Sequence, residues 1–449
     1  MTTAALRNML WGAAAAALAV GGLLPMVSSF AQGAALVLAA VCLLLWLSEA
    51  VPMFVPALLL AVLVPALLGR HDADYRLDQV LSWGADPVVA LFFGGFVLSA
   101  AISAHGLDQL LVQRVVQLAG SSALRLFILV TLLTAFLSMW VSNTAAAALV
   151  LASLQPLLNQ LPGEAGTRRA LLLGVAFGAD FGGMATPIGT GPNGLAMAQA
   201  AELGTDVSFS AWMVFALPLT LGLLLAAIVL VAWRCGLRQE QLPTAPPAPG
   251  AAVVSPRRNQ LLLVLGLTVL LWLTEPWHGI PTAGVALGAA AVLFATGLVV
   301  PATLRELDWG TLLLIAGGLM LGRLLEQSGV VRTLAGHVDW AALPSGVGLV
   351  FLCMVTATLS ALMSNTAAVV MLLPLSQVIY PAPSTAIVVA LAASMGVPFV
   401  ISTPPNALAY SKGGLRTTDL LLPGLLLMIG GCLLISLTGK SVLNLVGIP

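Results

Sequence analysis

The chain has 449 residues, of which 60% are hydrophobic and only 8% are charged. An ordinary soluble domain carries roughly 25% charged residues, so most of this chain must face lipid or other apolar segments. Its 17 basic and 17 acidic residues cancel, and no basic tract is long enough to hold nucleic acid. The composition therefore predicts an integral membrane protein and excludes a nucleic-acid partner.

Apolar runs long enough to cross the roughly 30 Å of hydrocarbon in a bilayer recur along the whole chain. They predict eleven transmembrane helices, near residues 9–28, 33–48, 52–69, 87–115, 170–202, 210–236, 259–275, 281–300, 310–332, 384–411 and 420–447. The first run follows Arg7 and could belong to a cleaved secretory signal, but the many later spans favour a retained helix in an N-terminal segment, 1–32.

Two further apolar runs, 124–160 and 346–380, are interrupted at their middles by the same triplet, Ser-Asn-Thr. Each half is too short to cross a bilayer, which predicts two re-entrant hairpins. The spans at 170–202 and 384–411 are broken in turn by TPIGTGPN at 186–193 and STPPN at 402–406. Broken helices are tolerated at membrane depth only where the freed backbone lines a cavity or binds something.

These doubled interruptions predict two sequence repeats, 33–236 and 259–449, joined by a linker at 237–258 that contains LPTAPPAPG. Each unit holds five crossings and one hairpin, and an odd number of crossings requires the second unit to be inverted in the membrane. Most arginines and lysines fall on the cytoplasmic side if the N-terminus is cytoplasmic. The distribution therefore predicts a multi-pass protein of the cell membrane with its N-terminus inside.

The two triplets point to an anion site. Asn143-Thr144 and Asn365-Thr366 stand at the starts of half-helices, where free N–H groups and the helix dipole favour an anion. Pro192-Asn193 and Pro405-Asn406 begin two more. Four converging N-termini of about +0.5 charge each would match a dianion. None of the four motifs contains arginine or lysine, so the predicted substrate is a small dianion held by neutral groups.

The same breaks also expose carbonyl groups that can coordinate a hard cation together with hydroxyl groups. Ser138 lies one helical turn before Ser142, and Ser360 lies one turn before Ser364. Loop residues could complete each set, Gly189-Thr190 in the first unit and Ser402-Thr403 in the second. This pattern predicts two equivalent Na⁺ sites beside the anion, each raising the affinity of the other ligand.

At these motifs the chain resembles the divalent anion/sodium symporter family, and the resemblance covers nearly its whole length. It implies an all-α inverted-repeat carrier, usually a homodimer, in which a transport domain slides like an elevator against a scaffold and carries C4-dicarboxylates, citrate or sulfate with Na⁺. The resemblance implies substrate contacts by Asn143, Thr144, Thr190, Asn365, Thr366, Thr403 and Pro404. It assigns one Na⁺ site to Ser138, Ser142, Asn143 and Gly189, and the other to Ser360, Met363, Ser364, Asn365 and Ser402.

One departure from the family pattern lies in the first broken helix. Gly191 stands where the family commonly has a proline, as Pro404 does in the second unit. This leaves the first loop more flexible and makes the size of the substrate uncertain.

The sequence thus predicts a carrier that couples inward Na⁺ movement to uptake of a C4-dicarboxylate such as succinate, malate or fumarate. The alternative is a proton-coupled or exchange-type carrier of citrate, sulfate or arsenite with similar architecture. Asp180 lies inside a crossing and is either a proton site or a hydrogen-bonded structural carboxyl group; its repeat partner near 393 is alanine. An enzyme is not expected, because neither Ser142 nor Ser364 has a nearby base in sequence.

Overall fold

A computed structural model describes residues 27–48, 50–163, 165–237, 256–335 and 345–448. Every regular element in these ranges is an α-helix or a short 3₁₀ turn, which confirms the predicted all-α class. The predicted first helix near 9–28 lies almost wholly outside the described residues, as does most of the linker at 237–258.

The first half of the chain forms ten helices within the described ranges. They are α1 Phe30–Ser48, α2 Val55–Leu67, α3 Leu77–Trp83, α4 Pro87–Ala104, α5 Leu107–Ala119, α6 Ala123–Ser138, α7 Asn143–Leu158, α8 Gly166–Gly182, α9 Gly191–Glu202 and α10 Phe209–Cys235.

The second half repeats most of this order. Its described helices are α11 Arg258–Leu273, α12 Glu275–His278, α13 Thr282–Ala295, α14 Trp309–Gln327, α15 Val330–Ala335, α16 Ser345–Leu362, α17 Asn365–Ile379, α18 Pro383–Ala393, α19 Pro404–Ser411 and α20 Thr417–Leu445.

Four of the described helices, α4, α10, α14 and α20, are long and apolar enough to cross a membrane by themselves. Several others are apolar but shorter, as halves of broken or re-entrant helices must be. The multi-span prediction is confirmed in this form, whereas the count of eleven crossings stays a prediction.

The predicted span at 87–115 is wrong as a single helix. Helix α4 ends at Ala104 and α5 begins at Leu107, because Gly106 adopts a left-handed conformation with φ of 66°. A glycine reaches this conformation without strain and stops the helix. The apolar run continues through the turn, so hydrophobicity alone did not reveal it.

Both broken helices are present, but their breaks lie earlier than the motifs suggested. Residues 183–190 separate α8 from α9, and residues 394–403 separate α18 from α19. Gly191 and Pro404 already belong to the helices that follow. The reason is that proline is well accommodated in the first turn of a helix, where its missing N–H has no partner to lose.

The hairpins and broken helices of the two halves pack together as one body. Helix α6 lies along α8, α9 packs on α18, and α19 contacts both α7 and α8. Other helices flank this body: α4 packs on α13, with Gly94 against Ala286. Helix α14 packs both on α2, with Gly317 against Ala57, and on α17, with Gly318 against Val370.

The spacing of Arg323 and Glu326, three residues apart on one helix, predicts an ion pair, but Arg323 makes a shorter contact elsewhere. Its Nε lies 2.8 Å from an oxygen of Glu202 at the end of α9, whereas its Nη1 lies 3.5 Å from Glu326. Glu202 is far away in sequence, so local spacing could not predict this ion pair between α9 and α14.

Arg168, near the start of α8, joins the two halves of the chain by contacting the C-terminal ends of α7 and α19. Its guanidinium group donates hydrogen bonds to the carbonyl oxygens of Leu158, Lys412, at 2.6 Å, and Gly413, at 3.0 Å. We expect Arg168→Ala to lower the free energy of unfolding by about 3 kcal/mol: hydrogen bonds to charged groups contribute about 1.5–3 kcal/mol each, and water replaces part of the lost bonds because Arg168 is only half-buried.

The measurement is thermal unfolding of the purified protein in detergent, with Arg114→Ala as the control because Arg114 is exposed on α5. Equal melting temperatures for the two variants would contradict this role of Arg168.

Candidate functional site

Each hairpin tip is a polar turn at which one helix ends and the next begins. Ser138 is the last residue of α6, and Asn143 is the first residue of α7. Ser142 caps α7 by accepting the N–H of Ala145 at 3.3 Å. Ser364 holds the same position before α17 but makes no side-chain cap.

Three oxygen atoms converge behind the first tip. The hydroxyl oxygen of Ser138 lies 2.8 Å from Oδ1 of Asn143 and 2.6 Å from the carbonyl oxygen of Ala179. Ser138 is fully buried. A serine hydroxyl has one proton to donate, so it can satisfy only one of these two acceptors at a time. The first cluster, Ser138, Asn143 and the Ala179 carbonyl, therefore has more acceptors than protons.

The second tip repeats this arrangement atom for atom. The hydroxyl oxygen of Ser360 lies 2.7 Å from Oδ1 of Asn365 and 2.6 Å from the carbonyl oxygen of Ala393. Ser360 is also fully buried. The second cluster, Ser360, Asn365 and the Ala393 carbonyl, thus matches the first in atom type and distance.

Two buried asparagines hold the helix breaks in shape. Nδ2 of Asn193 donates to the carbonyl oxygens of Gly183, at 2.9 Å, and Thr186, at 2.8 Å. Nδ2 of Asn406 donates to the carbonyl oxygens of Val397, at 2.9 Å, and Phe399, at 3.0 Å. Each amide satisfies two carbonyl groups that the break would otherwise leave unpaired in an apolar setting. The sequence indicated these residues as helix starts and missed this function.

A hydroxyl group then ties each break to its hairpin. Thr186 donates to the carbonyl oxygen of Met139 at 2.5 Å, and Ser402 donates to that of Ala361 at 3.0 Å. Both carbonyls belong to the residue that follows the cluster serine. Ser402 also accepts the N–H of Phe399 at 3.0 Å. The Ser402 hydroxyl, expected near a cation, therefore has two structural partners in the loop.

The carboxyl group of Asp180 links the two halves. One oxygen accepts a hydrogen bond from the hydroxyl of Thr403 at 3.0 Å, and the same hydroxyl accepts the N–H of Asn406 at 3.3 Å. Asp180 is only 2% exposed, and its other oxygen has no hydrogen-bond partner among the described residues. The carbonyl of Ala179 in the first cluster corresponds to that of Ala393 in the second. The residue after each alanine must then correspond as well, so the repeat counterpart of Asp180 is the buried Ser394 and not an alanine.

The residues expected to contact substrate differ in exposure. Thr144 and Pro404 are exposed, Asn143, Asn365 and Thr190 are half-buried, and Thr366 and Thr403 are buried. Of the backbone ligands expected for Na⁺, Gly189 and Met363 are buried. Gly189 packs directly on Gly183, whose Cα lies beside Oδ1 of Asn143. The loop of the first break is thus adjacent to the first cluster.

Thr366 of the second hairpin packs against Gly191 of the first broken helix. A Cβ atom placed on Gly191 would lie 2.5 Å from the Thr366 hydroxyl oxygen and 3.1 Å from its methyl carbon. Contacts below 3.0 Å force one of the two groups to move. The Thr366 side chain therefore fills the space that a proline ring at residue 191 would need, which explains the departure at this position.

We expect Gly191→Ala to displace Thr366 and reduce thermal stability, with a cost of about 1–3 kcal/mol, as is usual for overpacking. The matched control is Gly95→Ala, because a Cβ there would meet Ile188 at an ordinary 3.6 Å. Unfolding in detergent should separate the two variants. A Gly191→Ala protein as stable as the control would show that the contact with Thr366 is not tight.

Comparison with known proteins agrees with this architecture. The sequence matches the CitMHS family model, described as a citrate transporter, over residues 43–344 and 269–447. An uncharacterized transporter of Haemophilus influenzae is 31% identical over 87% of this chain and 88% of its own length. The sodium-dependent dicarboxylate transporter SdcS of Staphylococcus saprophyticus is 28% identical over 82% of this chain and 78% of its own length.

A further relative and a solved structure extend the comparison. The inorganic phosphate transporter PHO87 of Saccharomyces cerevisiae is 27% identical over 82% of this chain, which spans only 42% of the yeast protein. The crystal structure of the YdaH transporter of Alcanivorax borkumensis superposes with a TM-score of 0.62, covering 87% of this chain and 98% of that one, at 18% identity. The shared fold and the family match, taken with the two polar tips and two broken helices, show that the chain belongs to the CitMHS transporter family and is a multi-pass membrane transporter, not an enzyme.

Proposed function

We propose that this protein is a secondary carrier that couples inward Na⁺ movement to the uptake of a divalent anion, with C4-dicarboxylates as its substrates. The observation that carries the proposal is the pair of matching oxygen clusters around Ser138 and Ser360. Na⁺ is a hard cation and takes hydroxyl, amide and carbonyl oxygens as ligands, the three types present in each cluster.

A bound Na⁺ would remove the shortage of protons in each cluster. The serine hydroxyl could then turn a lone pair toward the cation, and neither the amide oxygen nor the helix-end carbonyl would compete for a single proton. All three ligands are neutral, so Na⁺ would bind weakly by itself. An anion beside it would raise that affinity, and by reciprocity Na⁺ would raise the affinity for the anion.

The anion would lie between the tips, at the N-termini of α7, α17, α9 and α19. These termini offer backbone N–H groups and positive dipole ends to a dianion. Five of the proposed substrate contacts have accessible surface: Asn143, Thr144, Thr190, Asn365 and Pro404. Thr366 and Thr403 are buried and would position the site. Thr366 packs on Gly191, and the hydroxyl of Thr403 donates a hydrogen bond to Asp180.

For the mechanism, we propose two inverted repeats, 33–236 and 259–449, and an elevator motion within a homodimer. The moving body would contain the hairpins and broken helices, which pack on one another across the two halves. The scaffold would contain the spans near 33–69 and 259–300. The homodimer rests on the family resemblance.

The two relatives with named substrates support two substrate candidates, and the description of the family model adds citrate as a third. A named relative that matches most of its own length is a dicarboxylate transporter, which supports succinate, malate and fumarate. Phosphate is the second candidate, because the yeast phosphate transporter shares 27% identity over most of this chain. Hydrogen phosphate is also a small dianion, so the same neutral donors suit it.

The decisive experiment is uptake of labelled succinate, citrate, sulfate and phosphate into proteoliposomes, with a Na⁺ gradient or a choline control at fixed pH. We expect succinate uptake that needs inward Na⁺, saturates and shows counterflow from preloaded substrate. Equal uptake in Na⁺ and choline that follows an imposed pH gradient would refute sodium coupling and make Asp180 the leading proton-site candidate.

A sharper test separates the cation clusters from the rest of the core. Ser138→Ala and Ser360→Ala should each raise the Na⁺ concentration for half-maximal uptake about tenfold, since a lost hydrogen bond or ligand of about 1.4 kcal/mol changes binding by that factor. Substrate affinity at saturating Na⁺ should change less.

Ser376→Ala is the matched control, because Ser376 is equally buried but donates only to the carbonyl of Leu373 in its own helix. If all three variants need the same Na⁺ concentration, the clusters are not cation sites.

A further inference from the structure

A long apolar groove of about 730 Å³ lies beside the first hairpin. One wall is a single face of α11, and the others come from α4, α5, α6 and the hairpin tip. The α11 positions recur at helical spacing along its whole length, from Arg258 through Leu262 and Leu265 to Trp272. The groove therefore follows the axis of α11 rather than crossing it.

The groove has charge at one end only. Arg258, at the start of α11, is its single charged lining residue, and it makes none of the ion pairs found in the described part of the chain. Thr268 adds no free polar group, because its hydroxyl donates to the Val264 carbonyl at 2.8 Å. The remaining lining is almost entirely aliphatic and aromatic.

The far end is closed by three stacked rings. Trp272 stacks on Phe209 with ring centroids 4.6 Å apart, and Trp140 of the hairpin tip lies parallel to both, 6.3 Å from Phe209 and 6.4 Å from Trp272. Ile188, next to Gly189 of the first break, also lines the groove. The closed end is thus adjacent to the proposed transport site.

The length of the groove matches one leaflet of a bilayer. Fourteen residue steps separate Arg258 from Trp272, or about 21 Å at 1.5 Å per residue. Half of a bilayer, including its headgroup region, is about 20–22 Å thick. A cation at headgroup depth above an apolar channel of leaflet depth is complementary to an amphiphilic anion lying along the membrane normal.

We propose that this groove binds one acyl chain of an anionic phospholipid, with the lipid phosphate on Arg258 and the chain end at the Trp140–Trp272 stack. A helix from a second copy would fit only if it placed an acidic side chain opposite Arg258. A small dianion would leave the apolar length of the groove uncovered. An anionic lipid satisfies both parts.

The lipid would also bear on transport if the elevator mechanism holds. Trp140 and Phe136 belong to the proposed moving body, whereas α11 belongs to the proposed scaffold, so sliding would reshape the groove. A lipid that binds one conformation better than the other would shift the population toward it. This consequence rests on the proposed function, but the binding itself does not.

The test is a lipid titration of the delipidated full-length protein by native mass spectrometry, with phosphatidylglycerol and phosphatidylcholine in parallel. We expect Arg258→Ala to weaken phosphatidylglycerol binding about fivefold, because one arginine near an anionic lipid surface contributes about 1 kcal/mol. Phosphatidylcholine carries the same phosphate, but its choline group neutralises the headgroup, so its binding should weaken less. Arg257→Ala is the matched control, since Arg257 is exposed and donates to the Thr296 carbonyl at 3.2 Å.

A second pair of variants tests the apolar channel. Leu265→Trp should fill the groove and weaken binding of both lipids, whereas Leu263→Trp should not, because Leu263 is 63% exposed and outside the groove. Unchanged lipid binding in both Arg258→Ala and Leu265→Trp would overturn the proposal. Loss of a dimer in Leu265→Trp, with lipid binding intact, would assign the groove to a second copy instead. Neither result depends on which substrate or ion is transported.

Discussion

The structure depends on one constraint: two helices stop and restart where the chain is surrounded by apolar residues, and the backbone groups freed there must find partners inside the protein. Asn193 and Asn406 meet it by donating to two carbonyl groups each. Thr186 and Ser402 then fasten the loops to the hairpin tips. The loops are consequently held by side chains, and the helix termini around them keep N–H groups available for a ligand.

The two halves are alike where the proposed cations bind and unlike where the anion binds. Both clusters contain the same three atom types at nearly the same distances. The differences are Gly191 against Pro404, a buried Thr366 against an exposed Thr144, and Asp180 against Ser394. We infer that the proposed anion site is asymmetric, while the two proposed Na⁺ sites are nearly equivalent.

The sequence predicts the parts of the fold and site that depend on distinctive side chains, and it does not predict those that depend on backbone atoms or on packing. The Ser-Asn-Thr turns and Pro-Asn loops interrupt apolar runs, so the sequence alone indicated both hairpins and both broken helices. Ala179 and Ala393 supply only a backbone carbonyl, and nothing in their side chains could mark them. Insertions between repeats hid the match of Asp180 with Ser394. The ion pair of Arg323 with Glu202 depends on how α9 packs against α14, which no local pattern records.

The neutral character of the proposed site also explains how such a carrier would avoid leaking ions. Two Na⁺ ions and one dianion sum to zero charge, and an empty site of hydroxyl, amide and backbone groups is neutral as well. The buried carboxyl group of Asp180 is present in the loaded and the empty protein, so it does not change the difference in net charge between them. A body carrying one Na⁺, or the anion alone, would have to move an additional net charge through hydrocarbon, which is costly. Partly loaded forms would therefore move rarely. An arginine in the site would reverse this preference by charging the empty form, and the four site motifs contain none.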